Sequence, residues 1–472
     1  MPFNSIAFAI FFALVLPTYW ATPARHRNAV LVVASWVFYG WWDWRFLSLL
    51  LVSTVVDYSL ALRMEGTSDT GHRRRLLVVS LVVNLGLLAT FKYFGFFADS
   101  FANLLDTFGL EADPITLEVI LPVGISFYTF QTLSYTIDVM RGRIGATRDI
   151  VAFAAYVSYF PQLVAGPIER ANRLLPRILD TDRRFPNADE RVAAARLIIV
   201  GFAKKVVLAD GVAGIVNRSF EDSADAGWIT LTAGVVGFAI QIYGDFSGYT
   251  DIARGVSRFF GIELSINFTQ PYLSRNITEF WRRWHISLSN WLRDYLYISL
   301  GGNRHGVRRT YRNLMLTMLL GGLWHGASWT FVVWGGLHGL YLVAHRLLGS
   351  GQAPDGPPSL IDLPRILATN VAVFIAWVFF RAESFSQAGE VLGGIATLRP
   401  GPVAGGDVAM VAVFATLMVL TDLWQRRRDD LPADAPLPRP HPVLTGAGLG
   451  TVLVAIVLFS GGSPVPFIYF QF

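Results

Sequence analysis

Two Trp-His pairs carry the side chains best suited to proton chemistry. One lies in Phe280-Trp281-Arg282-Arg283-Trp284-His285-Ile286-Ser287-Leu288-Ser289-Asn290-Trp291, the other in Gly321-Gly322-Leu323-Trp324-His325-Gly326-Ala327-Ser328-Trp329. Five of the eight histidines fall within residues 276–345. Imidazole titrates nearest neutrality of the common side chains, so it can take a proton and return it. His325 stands in an apolar run with no Lys, Arg, Asp or Glu from 313 to 344. An ionisable group at membrane depth is costly enough to imply use. Gly321, Gly322 and Gly326 would let a substrate or another backbone come close.

Each histidine also has a bland reading. His325 could be a core histidine satisfied by a backbone carbonyl, but its apolar surroundings favour function. His285 is more evenly balanced, because Arg282, Arg283 and Arg293 are near it in sequence. His338 and His345 share one helical face and read as packing or headgroup contacts. A zinc site from His285, His325 and His338 would have suitable ligands. None of these spacings is short and no carboxylate adjoins them, so no metal is expected.

The elements that must position these groups belong to a membrane protein. The chain has 472 residues, 53% hydrophobic and 15% charged, against about 25% charged in soluble proteins. Apolar stretches of about 20 residues recur throughout, each long enough to cross a bilayer. The expectation is an all-α polytopic protein with one integral domain over 1–472 and its catalytic segment at 276–345. The absence of cysteine excludes disulfides, a thiolate nucleophile and a cysteinyl acyl-enzyme. The net charge of +5 is clustered between apolar runs, which reads as topology and not as nucleic-acid binding.

Residues 3–20 read as a first membrane helix that is retained. Helices are expected at 28–42, 46–62, 76–97 and 117–140. The loops between read basic (24–27), balanced, basic (63–75), acidic (98–116) and basic (141–143). The positive-inside rule then puts the N-terminus outside and the basic loops in the cytoplasm. Residues 152–168 contain Pro161 and Pro167, which argues for a broken or re-entrant segment. Further helices are expected at 191–216, 228–254, 366–380, 408–424 and 443–459. Residues 280–300 read as one interfacial helix with Trp281, Trp284, His285 and Leu288 near one face. Arg426-Arg427-Arg428 reads as a cytoplasmic loop, and 349–358 and 429–442 as flexible linkers.

Adjacent Lys204 and Lys205 cannot share one groove, and Asp245 and Asp251 are candidate partners. They read either as ion pairs fixing helix register or as the lining of a substrate tunnel.

Several long motifs in order resemble the membrane-bound O-acyltransferase family, in its bacterial branch of alginate O-acetyltransferases. They are Leu121-Pro-Val-Gly-Ile-Ser-Phe-Tyr-Thr-Phe-Gln131, Phe160-Pro-Gln-Leu-Val-Ala-Gly-Pro-Ile-Glu-Arg170, Tyr243-Gly-Asp-Phe-Ser-Gly-Tyr-Thr-Asp251 and the two Trp-His segments. The resemblance implies a ring of roughly 10–12 transmembrane helices, with interfacial and re-entrant helices, around a central tunnel. It implies that His325 matches the family's invariant histidine and His285 its second position. It implies transfer of an acetyl or other short acyl group from a cytoplasmic thioester, acetyl-CoA or an acyl carrier, to a hydroxyl outside.

On this reading His325 is the base on the acceptor hydroxyl. His285 orients it, steadies the oxyanion or protonates the leaving thiolate. Direct transfer and an acyl-histidine both stay open. The implied acceptor is an exported polysaccharide at the bacterial inner membrane, alginate or a similar exopolysaccharide, with peptidoglycan or teichoic acid as alternatives. A periplasmic esterase-like partner is implied too. Arg304, Arg308 and Arg309 are candidates for holding a phosphate-bearing donor. A transporter would instead use Lys204, Lys205, Asp245 and Asp251 as an ion path. A scaffold of an export complex would use the aromatic surfaces. Neither accounts for Trp-His motifs beside glycines in apolar runs.

Overall fold

A computed structural model describes residues 1–110, 120–164, 166–349, 352–354, 356–429, 442–460 and 467–468. Every regular element among them is helical. Among the described residues, six helices are long and apolar enough to cross a membrane, and three shorter ones are also apolar. The chain is a multi-pass membrane protein. It divides into two compact units, 1–195 with 253–265, and 196–252 with 266–472.

The first unit contains α1 (Ile6–Ala21), α2 (Arg27–Asp43), α3 (Leu47–Glu65), α4 (Thr70–Leu88), α5 (Phe94–Thr107), α6 (Ile125–Met140), α7 (Ile150–Ser158), α8 (Phe160–Leu163) and α9 (Ala171–Leu179). α3, α4 and α6 are joined by a buried polar seam. Asp57 accepts from Ser80 Oγ at 2.5 Å and Asn84 Nδ2 at 2.9 Å, while Ser53 donates to Asn84 Oδ1 at 2.6 Å. In apolar surroundings such bonds hold helices together where the hydrophobic effect between them is weak.

The break expected within 152–168 falls at Tyr159, between α7 and α8. There Ser35 Oγ accepts the Phe160 N–H at 3.1 Å. Gly124 has φ +76°, and a Cβ on it would lie 2.7 Å from the Leu163 carbonyl oxygen. The motif glycine therefore lets the start of α6 reach the broken α7–α8 segment.

The expected loop at 98–116 is helical as far as Thr107. Phe97, Phe101, Leu104 and Phe108 recur at helical spacing and are all exposed, so the apolar stripe continues past the acidic residues. Residues 111–119, which include the rest of that loop and the start of the helix expected from 117, lie outside the described residues. The basic residues 72–75 stand in α4, not in a loop.

The chain continues through α10 (Ala188–Phe202), a π-helical stretch (Ala203–Ala209), α11 (Asp210–Glu221) and α12 (Trp228–Phe259). Beyond these the second unit holds α13 (Ile277–Arg283), α14 (Ile286–Trp291), α15 (Val307–His325), α16 (Trp329–Leu348), α17 (Leu363–Arg381), α18 (Phe385–Ala396), α19 (Gly405–Asp429) and α20 (Pro442–Phe459). α18 has no counterpart in the sequence reading. Arg426–Arg428 stand in α19 rather than in a loop. Of the two expected linkers, residues 350, 351, 355 and 430–441 lie outside the described residues.

Lys204 and Lys205 point into the second unit and reach different acids. Lys204 Nζ lies 2.8 Å from Asp251, and Lys205 Nζ lies 2.7 Å from Asp210 and 2.9 Å from Asp245. Gly244 and Gly248 allow the approach: a Cβ would lie 2.9 Å from the Lys204 carbonyl oxygen and 2.6 Å from that of Gly201. The Tyr243–Asp251 motif thus combines small residues for contact with acids for the lysines. Breaking one such buried pair costs about 3–5 kcal/mol, which makes it a strong constraint on register.

α15 and α16 cross at glycines. A Cβ on Gly335 would stand 2.2 Å from the Met318 carbonyl oxygen, and one on Gly322 2.2 Å from that of Phe331. The room predicted beside His325 is therefore filled largely by neighbouring protein. Gly335→Ala should force the two helices apart and lower stability by about 1–3 kcal/mol. A fall in the thermal unfolding temperature of the detergent-solubilised protein measures it, and an unchanged midpoint would show that the crossing can relax.

Candidate active site

His285 sits at a break, not within one continuous helix. α13 ends at Arg283 and α14 begins at Ile286, with His285 in the left-handed region at φ +42° and ψ +55°. That conformation is strained for a residue with a Cβ and persists only where its surroundings hold it. The single interfacial helix expected over 280–300 is thus three pieces, the last a π-helical turn at Leu292–Tyr297.

The holding comes from residues 267–269. Thr269 N–H donates to the Arg283 carbonyl at 3.0 Å, and Ile286 N–H to the Asn267 carbonyl at 2.9 Å. α13 is fixed at its start by Asn276, whose Oδ1 accepts the Glu279 N–H at 2.8 Å. Glu279 in turn is clamped by Arg275 at 3.1 Å and Arg283 at 2.8 Å.

Asn267 also determines the tautomer of His285. Its Oδ1 accepts the Ser287 backbone N–H at 3.1 Å and the Ser287 hydroxyl at 2.9 Å, and lies 3.1 Å from His285 Nδ1. A backbone N–H can only donate, so this atom is the carboxamide oxygen and His285 Nδ1 carries the proton. In the neutral ring Nε2 is then the proton-accepting atom. Burial holds the imidazole neutral, with its pKa pushed down to about 3. Of the three roles read from sequence for His285, an acceptor at Nε2 suits orienting the proton-carrying groups better than steadying an oxyanion or protonating a thiolate.

His325 is the last residue of α15. It is 3% exposed and His285 is 0% exposed, and their ring centroids are 6.3 Å apart. Aromatic rings enclose the pair: Trp324 and Trp334 lie 5.0 and 4.9 Å from His325, Phe380 5.5 Å, and Phe246 4.7 Å from His285. Such walls exclude water and strengthen electrostatic effects inside. Gly326 makes room for the Phe331 ring, which packs 4.7 Å from Phe380, since a Cβ would fall 2.2 Å from it.

The other predicted residues lie apart in role. His338 is fully buried, stacked on Phe280 at 6.0 Å and edge-on to Trp334 at 4.8 Å, which is the packing role. His345 Nδ1 is within 3.0 Å of Thr278 Oγ1. Arg304, Arg308 and Arg309 are exposed. Among the described residues, no three His, Asp or Glu side chains come together as a metal site.

Asn267 was not legible in advance, because it lies in an aperiodic stretch distant in sequence from His285. The roles of Tyr243, whose hydroxyl donates to the buried Asp422 at 2.6 Å, and of Gln425, which accepts from Lys204 at 3.0 Å, were missed because their partners lie far away in sequence.

With this geometry in place, the comparisons identify the class. Residues 36–380 match MBOAT, the membrane-bound O-acyltransferase family, and the chain belongs to that family. It is an O-acyltransferase, which moves an acyl group from a donor to a hydroxyl. It is 44% identical to the probable alginate O-acetylase AlgI of Azotobacter vinelandii, over 82% of this chain and 76% of the relative. It is 39% identical to the probable alginate O-acetylase AlgI of Pseudomonas putida over the whole of both chains. It is 38% identical to the peptidoglycan O-acetyltransferase of Helicobacter pylori, over 78% of this chain and 73% of that one.

Asn267→Ala should remove the fixed tautomer and cut acyl transfer by about 10–100-fold. Asn267→Asp keeps an acceptor and adds a negative charge, which favours the imidazolium and lifts the His285 pKa from about 3 toward its ordinary 6.5. Protonation of Nε2 removes the acceptor through which His285 orients its partners, so the acid limb of the rate profile should move to higher pH in this variant. Identical pH profiles in wild type and Asn267→Asp would remove Asn267 from the proton chemistry.

Proposed function

We propose that this enzyme transfers acetyl groups from a cytoplasmic thioester, acetyl-CoA or an acyl carrier, toward hydroxyls of an exported polysaccharide of the alginate type. The observation that carries the reading is the buried pair His285–His325, with rings 6.3 Å apart inside an aromatic enclosure. The substrate class rests on the relatives, several of which bear the name alginate O-acetylase.

In the proposed step, an imidazole nitrogen of His325 takes the proton of the acceptor hydroxyl as its oxygen bonds to the thioester carbonyl carbon. The carbonyl electrons move onto oxygen and return as the carbon–sulfur bond breaks. The leaving thiolate takes up the proton that His325 holds, which restores the neutral ring. His285, with Nε2 as acceptor, orients the proton-carrying groups. An alcohol is a weak nucleophile without such a base, whose contribution is typically about 10²–10⁴-fold.

The basic loops face the cytoplasm and the N-terminus lies outside. The units act as one integral domain, with the helices ringed around a tunnel in which donor and acceptor meet. A periplasmic esterase-like partner completes transfer to polymer. Arg304, Arg308 and Arg309 attract the donor's phosphates. Neutralising all three should raise the donor's KM and flatten its dependence on ionic strength. An unchanged KM and salt profile would release them to a topological role only.

The decisive experiment measures polymer ester in a deletion strain carrying wild type, His325→Ala or His285→Ala at equal membrane abundance. His325→Ala should lose on the order of 10²–10⁴-fold of the transfer rate, and His285→Ala should also fall. Ester retained in His325→Ala would exclude it as the base and favour a scaffold or transport role.

A further inference from the structure

A cavity of about 610 Å³ in the second unit takes no part in the chemistry above. Its walls come from Arg196 and Val200 of α10, from the π-helical stretch, from 417–424 of α19 and from 448–455 of α20, and they are mostly apolar, with Arg196, Lys204, Thr421 and Thr451 as the polar members. Along α19 the wall covers two helical turns, roughly 10 Å at about 1.5 Å per residue. Leu417, Leu420 and Trp424 are exposed at this wall, and Arg426-Arg427-Arg428 follow directly in sequence. A Trp beside basic residues at the end of an apolar helix marks the headgroup level of a bilayer.

Two cations reach the cavity, and they differ. Lys204 is committed to Asp251 at 2.8 Å and Gln425 at 3.0 Å. Arg196 has no ion pair among the described residues, and its Nε is buried without a hydrogen-bond partner among them. A buried donor without an acceptor is unfavourable, and a ligand acceptor would relieve it. A guanidinium fork matches phosphate oxygens.

We propose that this cavity binds an anionic phospholipid of the surrounding bilayer, with its phosphate on Arg196 and one acyl chain along the aliphatic walls. Charge complementarity selects the occupant: a cation with no ion pair among the described residues, in a largely apolar groove, fits a lipid with net negative charge.

The test uses the full-length protein in neutral detergent, titrated with phosphatidylglycerol and phosphatidylcholine of equal chain length. Wild type should bind phosphatidylglycerol about tenfold more tightly, and Arg196→Gln should erase that preference. Gly448→Leu supplies a second variant. It lines the groove and a Cβ there meets nothing within 4 Å, so the larger side chain should fill the space and weaken both lipids. A preference retained in Arg196→Gln, or full affinity in Gly448→Leu, would overturn the proposal. So would glycerol phosphate binding as tightly as the lipid, since that would make it a soluble-phosphate site.

Discussion

The carboxamide oxygen of Asn267 is where backbone and chemistry meet. It accepts from the backbone and hydroxyl of Ser287 and from His285 Nδ1, while the Asn267 carbonyl accepts from Ile286. A helix break exposes backbone donors, and in an apolar interior each unsatisfied one is costly. One residue meets that cost and at the same time fixes which nitrogen of His285 is basic. The left-handed backbone of His285 is tolerable because these bonds over-determine it. Loss of Asn267 therefore touches conformation and proton chemistry together.

The remainder of the second unit supplies rigidity around that point. Glycines on α12 and at the α15–α16 crossing remove side-chain bulk so that backbones meet at close range. Buried lysine–aspartate pairs then lock α12 against the π-helical stretch. Shape alone would allow these helices to slide, because apolar packing in a membrane is weakly directional. Ion pairs with oxygens and nitrogens at about 2.8 Å do not tolerate a one-residue slip. This favours the register reading of Lys204 and Lys205.

Much of the architecture was legible from hydropathy. Apolar runs placed α1–α3, α12, α17 and α19, and the two prolines pointed to the break within 152–168. Boundaries failed where polar residues ride on a helix that continues. Asp99 and Asp106 suggested a loop, yet the aromatic stripe beside them kept α5 helical to Thr107. The reading of 280–300 as one helix failed for a different reason. Helical periodicity is nearly unchanged by a single left-handed residue, so the pattern does not record a break at His285. α18 is short and carries Gly389, Gly393 and Gly394, which weakened its signal.

Residue types and their order settled by themselves that this is a multi-pass membrane protein, without cysteine chemistry, carrying two histidines in apolar contexts. They also sufficed for the family, since long motifs in sequence are independent of geometry. Which groups meet was decided only by tertiary structure. His285 stands at the break between α13 and α14 and His325 at the end of α15, and their approach depends on the α15–α16 crossing and on that break. The pairing of Lys204 with Asp251 and of Lys205 with Asp210 and Asp245, and the part of Asn267, follow from the same packing. Composition fixes the solvent a chain must live in because transfer energies add residue by residue. A site is a set of angles and distances among residues far apart in sequence, and those appear only when the helices pack.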